Sequence, residues 1–289
     1  MERKADRGRE GIAGALFVAG LAVFAAPAAA QSGPESSSVF SGDYATVAVG
    51  VGALPEYDGA NEYRVLPVAG VVGRLGGVGF RLRGPSLTTD LYDDAPGAPY
   101  TLRIGPTLRY GNNRSGKIDD PVVASLGKLK SGFELGLGLG IGFKRLVTAY
   151  DRFSFGTSVR RDVSGRGGGM TWSTSATYYT PISRAQVVGA YASVEFANDA
   201  HGRYNHSISP AASARSGLPV FRGKGGLREV NLGTATVYDL NGNLLDGGFA
   251  IGAGVLYSRL EGSAAKSPIT RIRGSRNQWL TGLGLAYTF

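Results

Sequence analysis

Apolar and polar positions alternate strictly along much of the chain, most clearly over residues 131–143. From residue 133 onward, one parity of that segment is apolar and comprises Phe133, Leu135, Leu137, Leu139, Ile141 and Phe143. The other parity holds Glu134 and glycines. A period of two over this length predicts a β-strand with one apolar face. Glycine on the second face suits a tight barrel interior, where large side chains do not fit.

The C-terminal segment, residues 277–289, alternates in the same way and carries aromatic residues near both of its ends. One parity comprises Trp279, Thr281, Leu283, Leu285, Tyr287 and Phe289. Aromatic girdles of this kind mark the two interfaces of a membrane-spanning strand. A last strand ending in Tyr-x-Phe resembles the assembly signal of outer-membrane barrels. We assign that signal to Leu285, Tyr287 and Phe289, and it implies the barrel-assembly machinery as a partner.

Alternation and turn residues together predict twelve strands. They are 44–52, 63–74, 77–84, 86–93, 100–111, 131–143, 151–162, 169–180, 186–197, 228–239, 244–260 and 277–289. Most are near the roughly 9–11 residues that a tilted strand needs to cross a bilayer. Because open strand edges leave backbone groups unpaired in lipid, crossing strands must close. We therefore predict an all-β fold, a single antiparallel transmembrane β-barrel in the outer membrane.

The strand count depends on residues 77–93. One long bent strand there would give eleven strands, whereas a turn at Gly84-Pro85 restores the even number typical of bacterial barrels. Ten strands remain the alternative if one N-terminal segment leaves the barrel. Pro67 and Pro106 lie inside predicted strands although a closed barrel has no free edge, so bulges or strand ends are expected at both.

The connections divide into two groups by length. Asn241-Gly242 between two strands predicts a hairpin turn, and the 181–185 turn is equally short. These turns are expected on the periplasmic side, whereas the long connections 112–130, 198–227 and 261–276 are expected outside.

The N-terminus has the layout of a secretory signal peptide. Its basic region holds Arg3, Lys4, Arg7 and Arg9, an apolar stretch follows, and Ala28-Ala29-Ala30 offers an A-x-A cleavage site. The predicted organisation is a signal peptide over 1–30, a short segment over 31–43 and the barrel over 44–289.

The composition narrows the classes of function. The chain has 289 residues and no cysteine, which excludes disulfides and thiol chemistry. Its net charge is +9, but the basic residues are spread singly through apolar segments. They therefore predict charges of the barrel lumen and rim and no nucleic-acid partner.

Eight charged residues have the parity of the lumen if the apolar face meets lipid. They are Arg81, Arg83, Arg103, Arg109, Arg160, Asp90, Glu134 and Glu195. The favoured interpretation is a set of internal ion pairs, because buried charges tend to pair. The alternative is an anion-favouring channel, because rings of pore-lining arginines favour anions.

No catalytic residue, cofactor or metal site is predicted. His201 and His206 are the two histidines of the chain, and no further ligands are spaced near them. The glycine run 136–142 is part of a strand and not a phosphate-binding loop. Asp239-x-Asn241 resembles the start of a calcium loop but lacks its later glutamate.

Several short motifs together resemble the MipA/OmpV family, the MltA-interacting outer-membrane proteins, from about position 44 to 289. The motifs are Pro55-x-Tyr57-x-Gly59, Tyr63-Arg64-Val65-Leu66-Pro67, Gly105-Pro106, Ser216-Gly217-Leu218-Pro219-x-Phe221, Ser267-Pro268-Ile269 and Tyr287-x-Phe289. The resemblance implies a non-enzymatic barrel in the outer-membrane bilayer. It also implies a scaffold that joins a murein transglycosylase to a penicillin-binding protein, and a narrow anion-favouring pore is the alternative function.

Overall fold

The computed structural model describes residues 38–92 and 98–289, and over these ranges twelve antiparallel strands form one closed barrel. The strands are β1 (Tyr44–Pro55), β2 (Tyr63–Leu75), β3 (Val78–Arg83), β4 (Ser86–Asp90), β5 (Tyr100–Gly111), β6 (Gly132–Lys144), β7 (Arg152–Asp162), β8 (Met170–Pro181), β9 (Gln186–Ala197), β10 (Gly226–Asp239), β11 (Gly248–Leu260) and β12 (Asn277–Thr288). Each strand pairs with its neighbour in sequence, and β12 returns to β1. The predicted count of twelve is confirmed, with a turn at Gly84–Pro85 separating β3 from β4.

The predicted signal peptide over 1–30 lies outside the described residues. Among the residues that are described, no helix is both long and apolar enough to cross a membrane.

The apolar parity of each strand faces outward. On β6 the side chain of Leu137 is 65% exposed, and on β12 that of Leu283 is 62% exposed. Exposed apolar side chains of this size would be unfavourable in water. They are expected on the face of a barrel that contacts lipid. Aromatic rings pack at both ends of the β11–β12 pair. Tyr257 contacts Trp279 with ring centroids 4.9 Å apart, and Phe249 contacts Tyr287 at 4.6 Å.

The glycines on the inward face of β6 are needed for two different reasons. At Gly136 an added Cβ would overlap the carbonyl oxygen of Val159 on β7, so the close backbone approach requires glycine. At Gly140 an added Cβ would lie 3.4 Å from Nε of Arg103, so this glycine leaves room for an inward arginine. The glycine face therefore makes space for lumen side chains as well as for the backbone.

We expect Gly136→Ala to lower the free energy of unfolding by about 1–3 kcal/mol, the usual cost of overpacking. Gly138→Ala is the matched control, because its Cβ would meet nothing closer than 3.8 Å on the same face of the same strand. Urea unfolding of the barrel in lipid measures both. Equal destabilisation by the two variants would contradict this explanation of Gly136.

The two strand prolines lie where the barrel wall is interrupted. β3 pairs with β2 only from Gly70 to Leu75. Within the described ranges, residues 63–69 of β2 thus have β1 on one side and no strand on the other. Pro67 stands on this local free edge, so the expectation of a bulge or a strand end there was wrong. Pro106 lies beside the three residue pairs that join β4 to β5, where its missing N–H limits the ladder.

Asn241-Gly242 lies in the turn between the antiparallel strands β10 and β11, as predicted, and Gly242 has φ +88°, but the connection is longer than expected. β10 and β11 are joined by an eight-residue connection, 240–247, and β11 begins at Gly248 instead of at 244. The carboxylate of Asp239 accepts hydrogen bonds from the backbone N–H groups of Asn241 and Asn243 at 2.9 and 3.0 Å. This side-chain turn replaces the two-residue hairpin geometry.

The connections at one end of the barrel fold together into a small layer that we call the cap, formed by residues 56–62, 112–131, 198–225 and 261–276. Its helices are α1 (Pro121–Ala124), α2 (Asp199–His206), α3 (Pro210–Ser216), α4 (Gly262–Lys266) and α5 (Pro268–Arg273). The cap has its own apolar core, which comprises Tyr57, Ala60, Val123, Ile208, Ala212, Leu218 and Ile269. The long connections are therefore ordered and packed against one another.

The opposite end carries shorter connections and the N-terminal segment. A 3-10 helix (Val39–Ser41) precedes β1. The N–H of Val39 donates to the carbonyl of Leu245 at 2.9 Å, and the ring of Phe40 packs edge-on against Tyr44 with centroids 4.9 Å apart. This segment therefore lies beside the lumen, and Phe40 borders the cavity within it.

Candidate functional site

The barrel encloses a cavity of about 1000 Å³ with two chemically different walls. Because the strands follow one another around the barrel, β3–β7 lie across the lumen from β10–β2. On the β10–β2 side the lining includes the apolar side chains of Leu54, Ala235, Leu256 and Leu280. The β3–β7 side is rich in arginine. The cavity can thus offer charge and apolar surface to the same molecule.

All eight charged residues assigned to the lumen by parity border this cavity, but they fall into two groups. Arg109, Arg160, Glu134 and Glu195 belong to a network of ion pairs beneath the cap. Arg81, Arg83, Arg103 and Asp90 line another part of the same cavity. The charged residues of the lumen therefore lie in two separate groups.

Glu195 on β9 is the centre of the network beneath the cap. One carboxylate oxygen is 2.8 Å from Nη2 of Arg160 and 3.4 Å from Nη1 of Arg109, and the other is 2.5 Å from Nη1 of Arg228. The Glu195 side chain is 7% exposed. A carboxylate this buried is expected to be stable only when it is paired.

Arg228 connects this network to the cap. Its Nη2 lies 2.6 Å from Oδ2 of Asp58 in the β1–β2 connection, and its Nη1 lies 3.1 Å from Oε2 of Glu229. Burial raises the pKa of Asp58, but the charge and hydrogen bond of Arg228 outweigh it and hold that pKa below its ordinary value. Asp58 is therefore ionised at neutral pH, and the cap is fastened to the barrel wall.

A second arginine, Arg166, holds the neighbouring connection in place. It contacts Oδ1 of Asp162 at 2.9 Å and Oε1 of Glu134 at 3.2 Å, and it donates to the carbonyl of Gly111 at 3.1 Å. Because Glu134 also lies 3.9 Å from Nε of Arg160, the two arginines share one carboxylate. The basic stretch 160–166 thus contributes to the interior of the barrel.

The second group of lumen charges contains three neighbouring arginines and Asp90. We call Arg81, Arg83 and Arg103 the arginine cluster. Arg83 interacts electrostatically with both Arg81 and Arg103. The Nε atoms of Arg81 and Arg83 are buried and have no hydrogen-bond partner among the described residues. Asp90 lies within electrostatic range of Arg81, and its Oδ1 accepts a hydrogen bond from the N–H of Ile104 at 3.2 Å.

Both histidines lie on α2 of the cap, with ring centroids 6.4 Å apart. Burial lowers the pKa of His201 to about 3 and that of His206 to about 4, and the charge of Arg228 adds to both shifts. Nδ1 of His201 and Nε2 of His206 have no hydrogen-bond partner in the described part of the chain. No group of three or more His, Asp or Glu residues suited to a metal ion occurs within residues 38–92 and 98–289.

The sequence analysis missed Arg228, Arg166 and Asp58. The register of β10 against β9 shifts between Leu227 and Glu229. Because Arg228 lies in this bulge, the alternation along β10 does not predict that its side chain faces the lumen. Arg166 and Asp58 lie in connections, where no periodicity exists. The residues assigned to the assembly signal lie at the end of the chain, with Leu285 and Phe289 exposed on the outer face.

Three of the motif segments that carry the family resemblance approach one another in the cap. Tyr57, Leu218 and Ile269 are buried in its core, and Phe221 packs against them. Gly59, with φ +94°, approaches Thr270 so closely that a side chain would overlap it. The motifs thus specify how the cap closes over the barrel.

Solved structures that resemble this barrel include three bacterial proteins. An outer membrane channel from Pseudomonas putida F1 is 13% identical, with 90% of this chain and 100% of that chain covered and a TM-score of 0.43. The Pseudomonas putida toluene transporter TodX is 10% identical, covering 98% and 96%, with a TM-score of 0.39. The translocator domain of autotransporter NalP from Neisseria meningitidis is 11% identical, covering 86% and 88%, with a TM-score of 0.36.

Among curated proteins, none matches the sequence. Residues 47–289 match the protein family described as MltA-interacting protein MipA, and the match covers most of the chain. The chain is therefore an outer-membrane β-barrel protein that belongs to the MipA family.

Proposed function

We propose that this protein is a narrow, non-enzymatic channel that admits small anionic solutes when the cap is displaced. The observation that carries the proposal is the uneven pairing of charges inside the lumen. Arginines beneath the cap are matched by Glu195, Glu134, Asp162 and Asp58, whereas Arg83 of the arginine cluster interacts with arginines of the same sign. The positive charge of Arg83 in a low-dielectric cavity attracts anions and repels cations.

The cap supports a gated channel in preference to a permanently open one. Its residues His201, Tyr204 and Asn205 border the cavity from above. Short periplasmic turns and long outer connections are the usual arrangement in outer-membrane barrels. We therefore place the cap on the outer side of the membrane.

Planar-bilayer recordings in a KCl gradient test this proposal. We expect currents that favour anions, and we expect Arg81→Gln, Arg83→Gln and Arg103→Gln together to lower the anion-to-cation permeability ratio at least 3-fold. Arg259→Gln is the control, because Arg259 pairs with Glu261 and does not border the cavity. Recordings without current at pH 7 and at pH 5, or a ratio unchanged in the triple variant, would contradict the proposal.

A scaffold for murein-remodelling enzymes is the second candidate, and the family description favours it. In this proposal the periplasmic end docks a murein transglycosylase and a penicillin-binding protein. The connections at that end are short, such as 76–77 and 182–185, so the docking surface would be small. Purification from cross-linked envelopes is expected to recover a murein transglycosylase, and recovery of the barrel alone would count against this role.

A further inference from the structure

Two donors of the arginine cluster, the Nε groups of Arg81 and Arg83, lack an acceptor among the described residues. Both Nε atoms are buried and belong to side chains that line the cavity. A buried donor without an acceptor is costly, and two adjacent guanidinium groups present planar, bidentate geometry to a carboxylate, sulfate or phosphate. The cluster therefore favours an oxyanion.

The wall across the lumen indicates what the rest of the ligand is like. Leu54, Ala235 and Leu280 are buried in one apolar cluster on the inner side of the barrel, and each borders the cavity that the arginines line. Water against such a surface makes few hydrogen bonds. An apolar group of a ligand that displaces this water therefore lowers the free energy of binding. An inorganic ion would leave this wall unused.

The size of the space agrees with a small organic molecule. The cavity of about 1000 Å³ lies at the upper end of the range of roughly 300–1,000 Å³ found for small-molecule sites. Aromatic side chains add to the apolar surface, since Tyr44 and Tyr179 border the same cavity and interact electrostatically with Arg81. A ring or short aliphatic chain can pack there while its charged end meets the guanidinium groups.

We infer that the lumen holds a saturable binding site for an organic anion that joins an oxyanion head to an apolar body. Arg81 and Arg83 bind the head, and the wall that contains Leu54, Ala235 and Leu280 binds the body. This inference rests on the proposed anion channel and names the class of solute that the channel favours.

Calorimetric titration of the barrel in lipid nanodiscs tests the site with three probes. Benzoate carries both parts of the ligand, benzamide has the same shape without the charge, and acetate has the charge with a minimal apolar body. We expect benzoate to bind saturably and at least 10-fold more tightly than either of the other two. Equal affinity for acetate would overturn the inference, because only a general attraction to anions would remain.

Two variants separate the site from the fold. Arg81→Gln/Arg83→Gln is expected to weaken benzoate binding at least 10-fold, whereas Arg259→Gln is expected to leave it unchanged. Heat-modifiable migration on gels reports whether each barrel is folded. If a variant is folded and binds benzoate as the unmodified protein does, the inference is wrong.

The outcome also distinguishes this inference from the proposed channel. Anion-selective current without saturable benzoate binding would overturn the site and leave the channel intact. Saturable binding without current at either pH would support the site and contradict the channel.

Discussion

Replacing Glu195 with alanine is expected to lower the free energy of unfolding by about 3–5 kcal/mol, the usual cost of removing one partner from a buried ion pair. The loss is large because three arginines, Arg109, Arg160 and Arg228, direct guanidinium groups at this one carboxylate. Without it, Arg109 loses the carboxylate it pairs with, and Arg160 and Arg228 are left with their ion pairs with Glu134, Asp58 and Glu229. Urea unfolding in lipid, followed by heat-modifiable migration, measures the change.

Glu261→Ala is the matched control. Glu261 also pairs with two arginines, Arg259 and Arg276, but their side chains are 49% and 40% exposed. Exposed pairs contribute about 0–1 kcal/mol, so this variant is expected to unfold almost like the unmodified protein. If both substitutions destabilise the barrel equally, burial does not explain the importance of Glu195.

Acidification from pH 7 to pH 5 is expected to loosen the cap. In the closed cap His201 and His206 remain neutral, because burial lowers their pKa values to about 3 and about 4. Once the cap opens, both rings meet water and regain a pKa near 6.5. The open state therefore binds more protons between about pH 6.5 and pH 4, and the stability of the closed cap falls as the pH falls through that window.

The expected effect is about 1.4 kcal/mol per pH unit below 6.5 for each histidine, or on the order of 4 kcal/mol for both at pH 5. The charged groups that face the two rings come from β10, β9, β5 and two cap connections. They are Arg228, Glu195, Arg109, Asp58 and Arg114. Because the pKa of Asp58 is held below its ordinary value, its protonation adds to the effect only at lower pH.

Spin-label distances measure this opening directly, since the chain has no cysteine of its own. Labels at Val220→Cys in the cap and Leu232→Cys on the outer face of β10 are expected to move apart at pH 5. The same pair in a His201→Gln/His206→Gln background should keep one distance distribution at both pH values. Opening that persists without the histidines would assign the response to other groups.

The strands could be predicted from the sequence because lipid and lumen impose opposite requirements on alternate residues. Leu137 and Gly138 meet those two environments directly, so a simple parity count places both. The pairing of lumen charges could not be predicted in the same way. Arg83 and Arg160 both lie on the inward face of their strands. Whether an arginine on this face meets a carboxylate depends on the stagger between strands, which no local sequence pattern encodes.

The cap was beyond prediction for a different reason. Its helices have four to eight residues, which is too short for a helical period to stand out. Its core joins Tyr57 to Ile269, positions whose contact depends on closure of the whole barrel. The family motifs named several of these residues, but their meeting in one core follows only from the fold.

Within residues 38–92 and 98–289, the barrel wall has a seam along the first half of β2, which the short β3–β4 hairpin does not reach. Residues 63–69 pair with β1 on one side and with no described strand on the other, and only three residue pairs join β4 to β5. Amide deuterium exchange should therefore be fastest around 78–90, and a cylinder pulled open by force or by a thinning bilayer should part there first. Such a seam allows local opening of the wall while the other strand pairs stay hydrogen-bonded.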